Sequence, residues 1–167
     1  MKGEIDIWRK FLTEHKDDIN AAAGILLFNP DSEVMLSKRS ETVNNPLTIG
    51  TIGGHLTQGE SPLEGAKREF YEESSYDGPF DNITMLAKQT REDGFRYYSF
   101  IAFTEDYEDH DFLPFEEFEN EILWNKWIPF DEAIHLGNLH PGLEQTFTNV
   151  NLIAKIREFL DANITIY

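Results

Sequence analysis

Apolar residues recur along this chain in short runs that predict strands, and polar turn residues separate the runs. Residues 21–28 (AAAGILLF) are continuously apolar, and apolar residues resume over residues 33–39. Between them lies Asn-Pro-Asp-Ser at residues 29–32, and a turn cluster between two such runs is typical of a β-hairpin. Further strands are predicted over residues 48–52, 83–90, 96–103 and 123–129, and loops over residues 43–47 and 105–121.

Apolar residues at helical spacing, and residues that favour helix ends, predict four helices. Residues 1–19 carry apolar residues at roughly this spacing among charged ones: Ile5, Trp8, Leu12 and Ile19. In the middle of the chain, Ser61 is a favourable N-cap, Pro62 suits the first helical position and Glu64 completes a capping box. A helix is therefore predicted from there to about residue 74, with a short helix over residues 130–136 and a single closing helix over residues 143–162.

Length and composition predict one globular domain with no membrane span. The 167 residues suffice for a single core, and no apolar run reaches the length of about 18 residues that spans a bilayer. The absence of cysteine excludes disulfides, thiolate metal sites and cysteine nucleophiles. Because the first residues also lack the apolar core of a secretion signal, a cytoplasmic location is expected.

The charge of the chain restricts its partners. The formal net charge is −17, from 31 acidic and 14 basic residues, so the surface would mostly repel a long nucleic acid. A small anionic substrate remains compatible with this charge if divalent cations stand between it and the carboxylates.

The predicted helix in the middle of the chain concentrates carboxylates on one face. Glu69, Glu72 and Glu73 are three or four residues apart and therefore crowd one side of the helix. Arg68, four residues from both Glu64 and Glu72, balances only part of this charge. A cluster of hard oxygen ligands with too few local cations suits Mg²⁺ or Mn²⁺. A solvated acidic surface is the alternative when the acids are considered alone.

The other face of this helix and the glycines before it complete the pattern. The opposite face carries the apolar residues Leu63, Ala66 and Phe70. We therefore expect the helix to pack on the sheet and to hold its acids outward. Gly53 and Gly54 are expected to break the preceding strand, because glycine permits tight turns, and to leave a carbonyl free to bind a metal ion.

From Gly54 to Tyr76 the chain resembles the Nudix box, which in that family reads Gly-x5-Glu-x7-Arg-Glu-apolar-x-Glu-Glu-x-Gly-apolar. The matching residues are Gly54, Glu60, Arg68, Glu69, Phe70, Glu72, Glu73 and Tyr76. Ser75 departs from the motif, which has glycine there as a device for ending the helix. The resemblance extends across most of the chain, from the strand at residue 21 to the Trp-Ile-Pro-Phe-Asp-Glu run at residues 127–132.

The resemblance implies an α/β (α+β) fold, an α/β/α sandwich with a mixed β-sheet between helices, as one domain over residues 1–167. It implies MutT-like, Mg²⁺-dependent hydrolysis of the pyrophosphate bond of a nucleoside diphosphate linked to a group X, with Mn²⁺ as a substitute. By position, the metal ligands would be the Gly53 carbonyl and the carboxylates of Glu69, Glu72 and Glu73. Arg68 and Glu60 would orient these carboxylates through an ion pair.

The general base has two candidate sources in this family. One is the box itself, where Glu69 matches, and the other is a glutamate in a later loop. That loop offers Glu116, Glu117, Glu119 and Glu121. Glu121 is nearest to the usual position of the late glutamate, although a solvated acid is the alternative for each of the four.

The substrate is specified less closely than the chemistry. Arg39 and His55 are candidate substrate-binding residues, with a surface arginine and a strand-edge histidine as the alternatives. Four aromatic residues could stack on a base or belong to the core: Phe28, Tyr97, Phe100 and Trp124. The family's marker residues for ADP-ribose and dinucleoside polyphosphate hydrolases are missing near residues 91–93. A nucleoside triphosphate or a nucleotide conjugate is the default prediction, and the family favours a homodimer.

Two other functions occur on the same fold. A non-catalytic nucleotide-sensing or interaction module is disfavoured, because every acid of the box is present. The isopentenyl diphosphate isomerase branch uses a cysteine, which this chain lacks.

Overall fold

A computed structural model of the chain describes residues 20–164, and the helix predicted over residues 1–19 lies outside the described residues. Seven strands are present: β1 (Ala21–Phe28), β2 (Glu33–Arg39), β3 (Ile49–Gly50), β4 (Ile52–His55), β5 (Asp81–Thr90), β6 (Arg96–Phe103) and β7 (Ile122–Pro129). Four helices accompany them: α1 (Pro62–Ser74), α2 (Phe130–Ala133), α3 (Pro141–Phe147) and α4 (Val150–Asn163).

The strands form one mixed sheet that splits between β1 and β2. On one side, β1 runs parallel to β6 along its whole length, and β6 pairs with β5. On the other side, β1 pairs with β2 only at Phe28 and Val34, which flank the predicted turn. Beyond that point β1 pairs with β4 and β2 pairs with β3, while β7 covers the far edge of β2. The segment that contains β3 and β4 therefore lies in the split.

Helices cover both faces of the sheet and enclose two apolar cores. On one face, Phe70 of α1 packs among residues of β1 and β6. On the other face, Phe130, Phe147 and Ile156 from α2, α3 and α4 pack against the sheet. The predicted α/β/α arrangement around a mixed sheet is thus confirmed. None of the helices between residues 20 and 164 has the length and apolar character that crossing a membrane requires.

The prediction that Gly53 and Gly54 break a strand is wrong. Both residues lie within β4, where they pair with Gly24 and Ala23 of β1, and neither has a positive φ. Glycine is required here for close packing: a Cβ at Gly53 would clash with the carbonyl oxygen of Ala23, and a Cβ at Gly54 would lie 2.6 Å from the carboxyl carbon of Glu69. These glycines bring strand backbone against strand and against the acids of α1.

The prediction of a single closing helix over residues 143–162 is also wrong. Helix α3 ends at Phe147 and α4 begins at Val150. Asn149 separates them, because its side-chain oxygen accepts hydrogen bonds from the backbone N–H groups of Asn151 and Leu152 and so caps α4. The apolar pattern continues through this N-cap, and the periodicity alone did not reveal the break. The helix predicted over residues 130–136 is confirmed in part, as the shorter α2.

Candidate active site

Local signals at both ends fix the position of α1. The capping box forms as predicted: the Glu64 N–H donates to the Ser61 hydroxyl, and the Ser61 N–H donates to the Glu64 carboxylate. At the other end, Ser75 adopts the left-handed conformation, with φ of 60°, that the family's glycine would adopt. The Ser75 hydroxyl also donates to the Leu113 carbonyl at 2.5 Å. Serine therefore preserves the cap geometry and ties the helix end to the loop before β7.

Arg68 is at the centre of an ion-pair network on α1. Its guanidinium holds both carboxylate oxygens of Glu60, at 2.8 and 3.0 Å. It also donates to Glu69 at 3.0 Å and to Glu72 at 2.9 Å. A further bond to the His55 carbonyl anchors the network to β4. The expected partnership of Arg68 with Glu64 is not formed, because Glu64 is engaged in the capping box.

Glu73 lies on the same helix outside this network. Burial raises the pKa of its carboxyl to about 8, and the nearby Glu69 carboxylate raises it too. The Gly53 N–H and the Arg39 guanidinium offset this pKa shift only in part. Burial also raises the pKa of Glu69, against the opposing effect of Arg68. The expectation that α1 holds its acids outward is therefore corrected, because these acids face β4 and the split in the sheet.

A cavity of about 410 Å³ opens where the sheet splits. It brings together five of the predicted site residues: Arg39, Gly53, His55, Glu73 and Glu121. The other predicted residues, Arg68, Glu69 and Glu72, do not line it and lie behind β4 in the ion-pair network. A Cβ at Gly54, which lines the cavity, would lie 2.6 Å from the Glu69 carboxyl carbon, so the Glu69 carboxylate packs against this glycine. The predicted site residues are thus neighbours, divided into a cavity group and a network group.

Arg39 is a basic side chain in the cavity that acts electrostatically on Glu73. Its Nε donates to the Asn44 carbonyl at 2.7 Å, and it forms no ion pair within residues 20–164. Its positive charge lowers the pKa of Glu73 and of His140. His55 is exposed at the cavity rim, with its ring edge-on to Phe95 at 5.7 Å. Both side chains can therefore reach a ligand in the cavity.

The cavity also contains residues that the sequence did not single out. Chief among them is His140, whose Nδ1 accepts the Gly142 N–H and so caps α3. Burial, and next Arg39, lower the pKa of this histidine. Its position before Pro141 was a detectable capping signal, but nothing in the sequence placed it beside Arg39. Phe95 and Arg91 also line the cavity and stack on each other at 4.4 Å.

Only one of the four candidate stacking aromatics lines the cavity. Phe28 and Phe100 are core residues, and Trp124 packs against the second core. Tyr97 lies against Gly24, where a Cβ would clash with the Tyr97 hydroxyl. Burial raises the pKa of this phenol. Tyr97 is therefore a neutral hydroxyl group in the cavity wall.

The donor set suits a divalent cation in its chemistry, although the ligands are not preassembled. Carboxylates and a backbone carbonyl are the hard oxygen donors that Mg²⁺ prefers. Bound positive charge would also offset the cost of ionising the buried Glu73. Within the part of the chain that the structure describes, no three acidic or histidine side chains converge closely enough to hold a metal ion. Arg68 holds Glu69 and Glu72 instead.

Comparisons with known proteins agree with this architecture. A Nudix hydrolase from M. smegmatis, RenU, has a TM-score of 0.62 at 19% identity, covering 88% of this chain and 89% of that chain. An Ap4A hydrolase from C. elegans, as a binary complex, has a TM-score of 0.60 at 20% identity, covering 84% and 98%. The NUDIX domain of Shewanella oneidensis NrtR, complexed with ADP ribose, has a TM-score of 0.60 at 19% identity, covering 84% and 87%.

At such low identity these structures establish the fold alone, and no curated protein sequence matches the chain significantly. The family model of the NUDIX domain, in contrast, matches residues 18–150, which is most of the chain. The chain therefore belongs to the Nudix family.

Proposed function

We propose that this chain is a Mg²⁺-dependent pyrophosphohydrolase that cleaves a nucleoside diphosphate linked to a group X. The observation that carries the proposal is Glu73: a half-buried carboxyl group at a cavity, with a pKa of about 8 and no ion pair to Arg68. A buried acid is costly to ionise unless a cation approaches it. An anionic diphosphate, in turn, needs cations before it can enter so acidic a protein.

Each residue of the site would have a distinct role in this reaction. Glu73, Glu69, Glu72 and the Gly53 carbonyl would hold the metal, which when bound neutralises diphosphate oxygens and lowers the pKa of water. Arg68 would orient Glu69 and Glu72 through its hydrogen bonds. Arg39, which also lines the cavity, would donate to a phosphate oxygen.

Glu121 is the better-placed general base of the two candidates. It lines the cavity, its side chain is exposed, and it forms no ion pair among residues 20–164. It would accept the proton of the attacking water. Glu69 already accepts a hydrogen bond from Arg68, does not line the cavity, and is less free to take a proton there.

The cavity fits the nucleoside-containing part of a substrate. Its volume of about 410 Å³ lies within the range of roughly 300–1,000 Å³ that is common for small-molecule sites. The walls combine aromatic, amide and basic groups from Tyr97, Asn44 and Arg39. These groups support a nucleoside triphosphate or a nucleotide conjugate as the substrate. Related structures that are described with Ap4A hydrolase activity or with bound ADP ribose support the same class.

The test is a panel of nucleoside triphosphates and nucleotide conjugates incubated with Mg²⁺ or Mn²⁺, with the products identified by mass spectrometry. We expect release of a nucleoside monophosphate from a conjugate, or of pyrophosphate from a triphosphate. Prior chelation with EDTA should abolish the activity, and added Mg²⁺ should restore it. Turnover that persists after thorough chelation would refute the metal dependence.

A nucleotide-binding module without hydrolysis is the second candidate. It is favoured by the engagement of Glu69 and Glu72 with Arg68, and by the ADP ribose complex of the NrtR domain. A protein that cleaves no member of the panel but binds one of them tightly would support this alternative over hydrolysis.

A further inference from the structure

The loop between β6 and β7 is hydrogen-bonded to the end of α1, the helix that carries the acids of the site. The Phe115 N–H donates to the Glu72 carbonyl at 2.8 Å, and the Ser75 hydroxyl donates to the Leu113 carbonyl. The rings of Phe115 and Tyr71 also pack edge to face, with 4.8 Å between their centroids. The middle of this loop, at residues 113–115, is therefore held in place by α1.

The second half of the loop is fastened to the segment that follows β2. After a single 3-10 turn at Glu116–Phe118, the Glu121 carbonyl accepts the Ser40 N–H at 2.9 Å and the Asn120 carbonyl accepts the Thr42 hydroxyl at 3.1 Å. These bonds hold Glu121 in the cavity wall. Its charge is close enough to Glu73 to raise the pKa of that buried acid.

One side chain connects the loop directly to Glu73. The Asn125 amide nitrogen donates to the Glu73 carbonyl at 2.8 Å and to the Phe112 carbonyl at 2.9 Å. Phe112 is itself buried and stacks on Tyr76, with 5.1 Å between ring centroids. A single amide thus joins the backbone of Glu73 to the anchored middle of the loop.

The side-chain oxygen of Asn125 does not contribute to stability. Its Oδ1 is buried and accepts no hydrogen bond from any residue between 20 and 164. A buried acceptor without a donor destabilises the fold. The favourable contribution of Asn125 therefore comes from the two hydrogen bonds that its amide nitrogen donates. Those contacts set the distance between α1 and the loop.

We propose that Asn125 is a positioning residue, which fixes the spacing between the metal-binding acid Glu73 and the catalytic base Glu121. This inference rests on the proposed hydrolase function. Asn125 acts through the backbone of Glu73 and the middle of the loop, at Phe112. Without the amide, the two acids keep their chemistry and lose their relative placement, on which in-line attack depends.

The kinetic test compares Asn125→Ala, Glu121→Gln and the double variant on a substrate identified by the nucleotide panel. Asn125→Ala should lower kcat by about tenfold or more and change KM by less than about threefold. In the Glu121→Gln background the same substitution should lower kcat by less than about twofold, because the base it positions is already lost. Additive losses in the double variant would overturn the proposal.

The matched control is Asn29→Ala at the distant turn between β1 and β2. Asn29 is also buried, and its amide bonds hold that turn through Asp31 and Glu33. It should lower the midpoint of unfolding and leave kcat unchanged. Equal kcat losses in Asn29→Ala and Asn125→Ala would show that the loss follows from lower stability alone, and would overturn the proposal. Asn125→Asp, which keeps the shape and loses both donors, replaces the alanine variant if that one does not fold.

Hydrogen exchange separates this inference from the proposed function. In Asn125→Ala the amide of Phe115 should exchange faster, while amides of the β5–β6 pair remain unchanged. Unchanged exchange at Phe115 would overturn the positioning role even in an active enzyme. Faster exchange in a protein that hydrolyses nothing would show that Asn125 does hold the loop against α1 and that only the hydrolase proposal fails.

Discussion

Glu69 and Glu73 lie one helical turn apart on α1, but their surroundings differ. Glu69 belongs to a group of three acids that share Arg68 through hydrogen bonds of 2.8 to 3.0 Å. Glu73 has no such partner and lies buried at the cavity with a raised pKa. The first group is partly compensated by Arg68, whereas the Gly53 N–H and the Arg39 guanidinium do not fully offset the raised pKa of Glu73, so the Glu73 anion gains more from a bound cation.

This difference assigns separate roles to two sets of acids that the motif presents together. Arg68 commits its guanidinium to Glu60, Glu69, Glu72 and the His55 carbonyl, so it cannot also serve Glu73. The network makes the helix rigid and fixes it on β4. Glu73 then supplies the position at which a cation gains most, because the charge there is least compensated.

Replacement of Glu73 should have the largest effect on activity. Glu73→Gln removes the least compensated charge of the site, and we expect turnover to fall by roughly a hundredfold or more, about 3 kcal/mol of transition-state stabilisation. The fold should remain intact, because the substitution relieves repulsion between Glu73 and Glu69. Steady-state kinetics with saturating Mg²⁺, together with thermal unfolding, measure both effects.

The control for this variant lies on the same helix. Glu64→Gln is exposed, and glutamine also completes a capping box, so turnover should change by less than about twofold. If Glu73→Gln turned over substrate at the wild-type rate, the buried acid would not be an essential ligand, and the contrast with Glu69 would have no functional meaning.

The second prediction concerns the pH dependence of stability in the metal-free protein. The pKa of Glu73 is about 8 in the folded state against 4.5 as the model value, so the folded state binds the proton more tightly. Stability should therefore decrease as pH rises from about 4.5 to about 8. We expect a decrease of roughly 3 kcal/mol from this group, because solvent screening at the cavity reduces the full shift of about 5 kcal/mol. Urea unfolding after EDTA treatment measures this decrease.

The decrease is isolated by the difference between wild type and Glu73→Gln. The lowered pKa of His140 acts in the opposite direction, because its neutral form is favoured on folding, and it is common to both proteins. Added Mg²⁺ should flatten the wild-type profile more than that of the variant. Parallel profiles of the two metal-free proteins would show that Glu73 ionises without cost.

The sequence predicted those parts of the molecule whose signals are local. The capping box at Ser61 and Glu64 set the start of α1, and the turn cluster after Phe28 set the first hairpin. The acids of the box share a helix face because of their spacing alone. These features depend on residues within a few positions of one another, which a single sequence contains.

The rest depends on contacts between distant segments. Nothing near Glu73 in the sequence indicates that it would be buried while Glu69 and Glu72 were paired, since β4 and Arg39 decide this from elsewhere in the chain. The pairing of Gly53 with β1 likewise follows from the sheet, not from the tight turn that its residue type suggested. His140 reaches the cavity only because the segment before α3 bonds to β3. The roles of the site residues, the dimer and the cytoplasmic location stay predictions.

The smallest of the three expected effects concerns the acids that are paired with Arg68. Arg68→Gln leaves Glu60, Glu69 and Glu72 without their common cation, and the metal-free protein should lose roughly 2 kcal/mol of unfolding free energy, reduced from a fully buried case because Arg68 is 30% exposed. Arg157→Gln, which removes an exposed pair with Asp131, should cost less than about 1 kcal/mol. Mg²⁺ should recover part of the loss in Arg68→Gln, because the released acids become available as ligands, and none in Arg157→Gln. If both variants lost the same stability with no response to Mg²⁺, the network would be an ordinary surface cluster, and Glu73 would not differ from its neighbours in the way the structure implies.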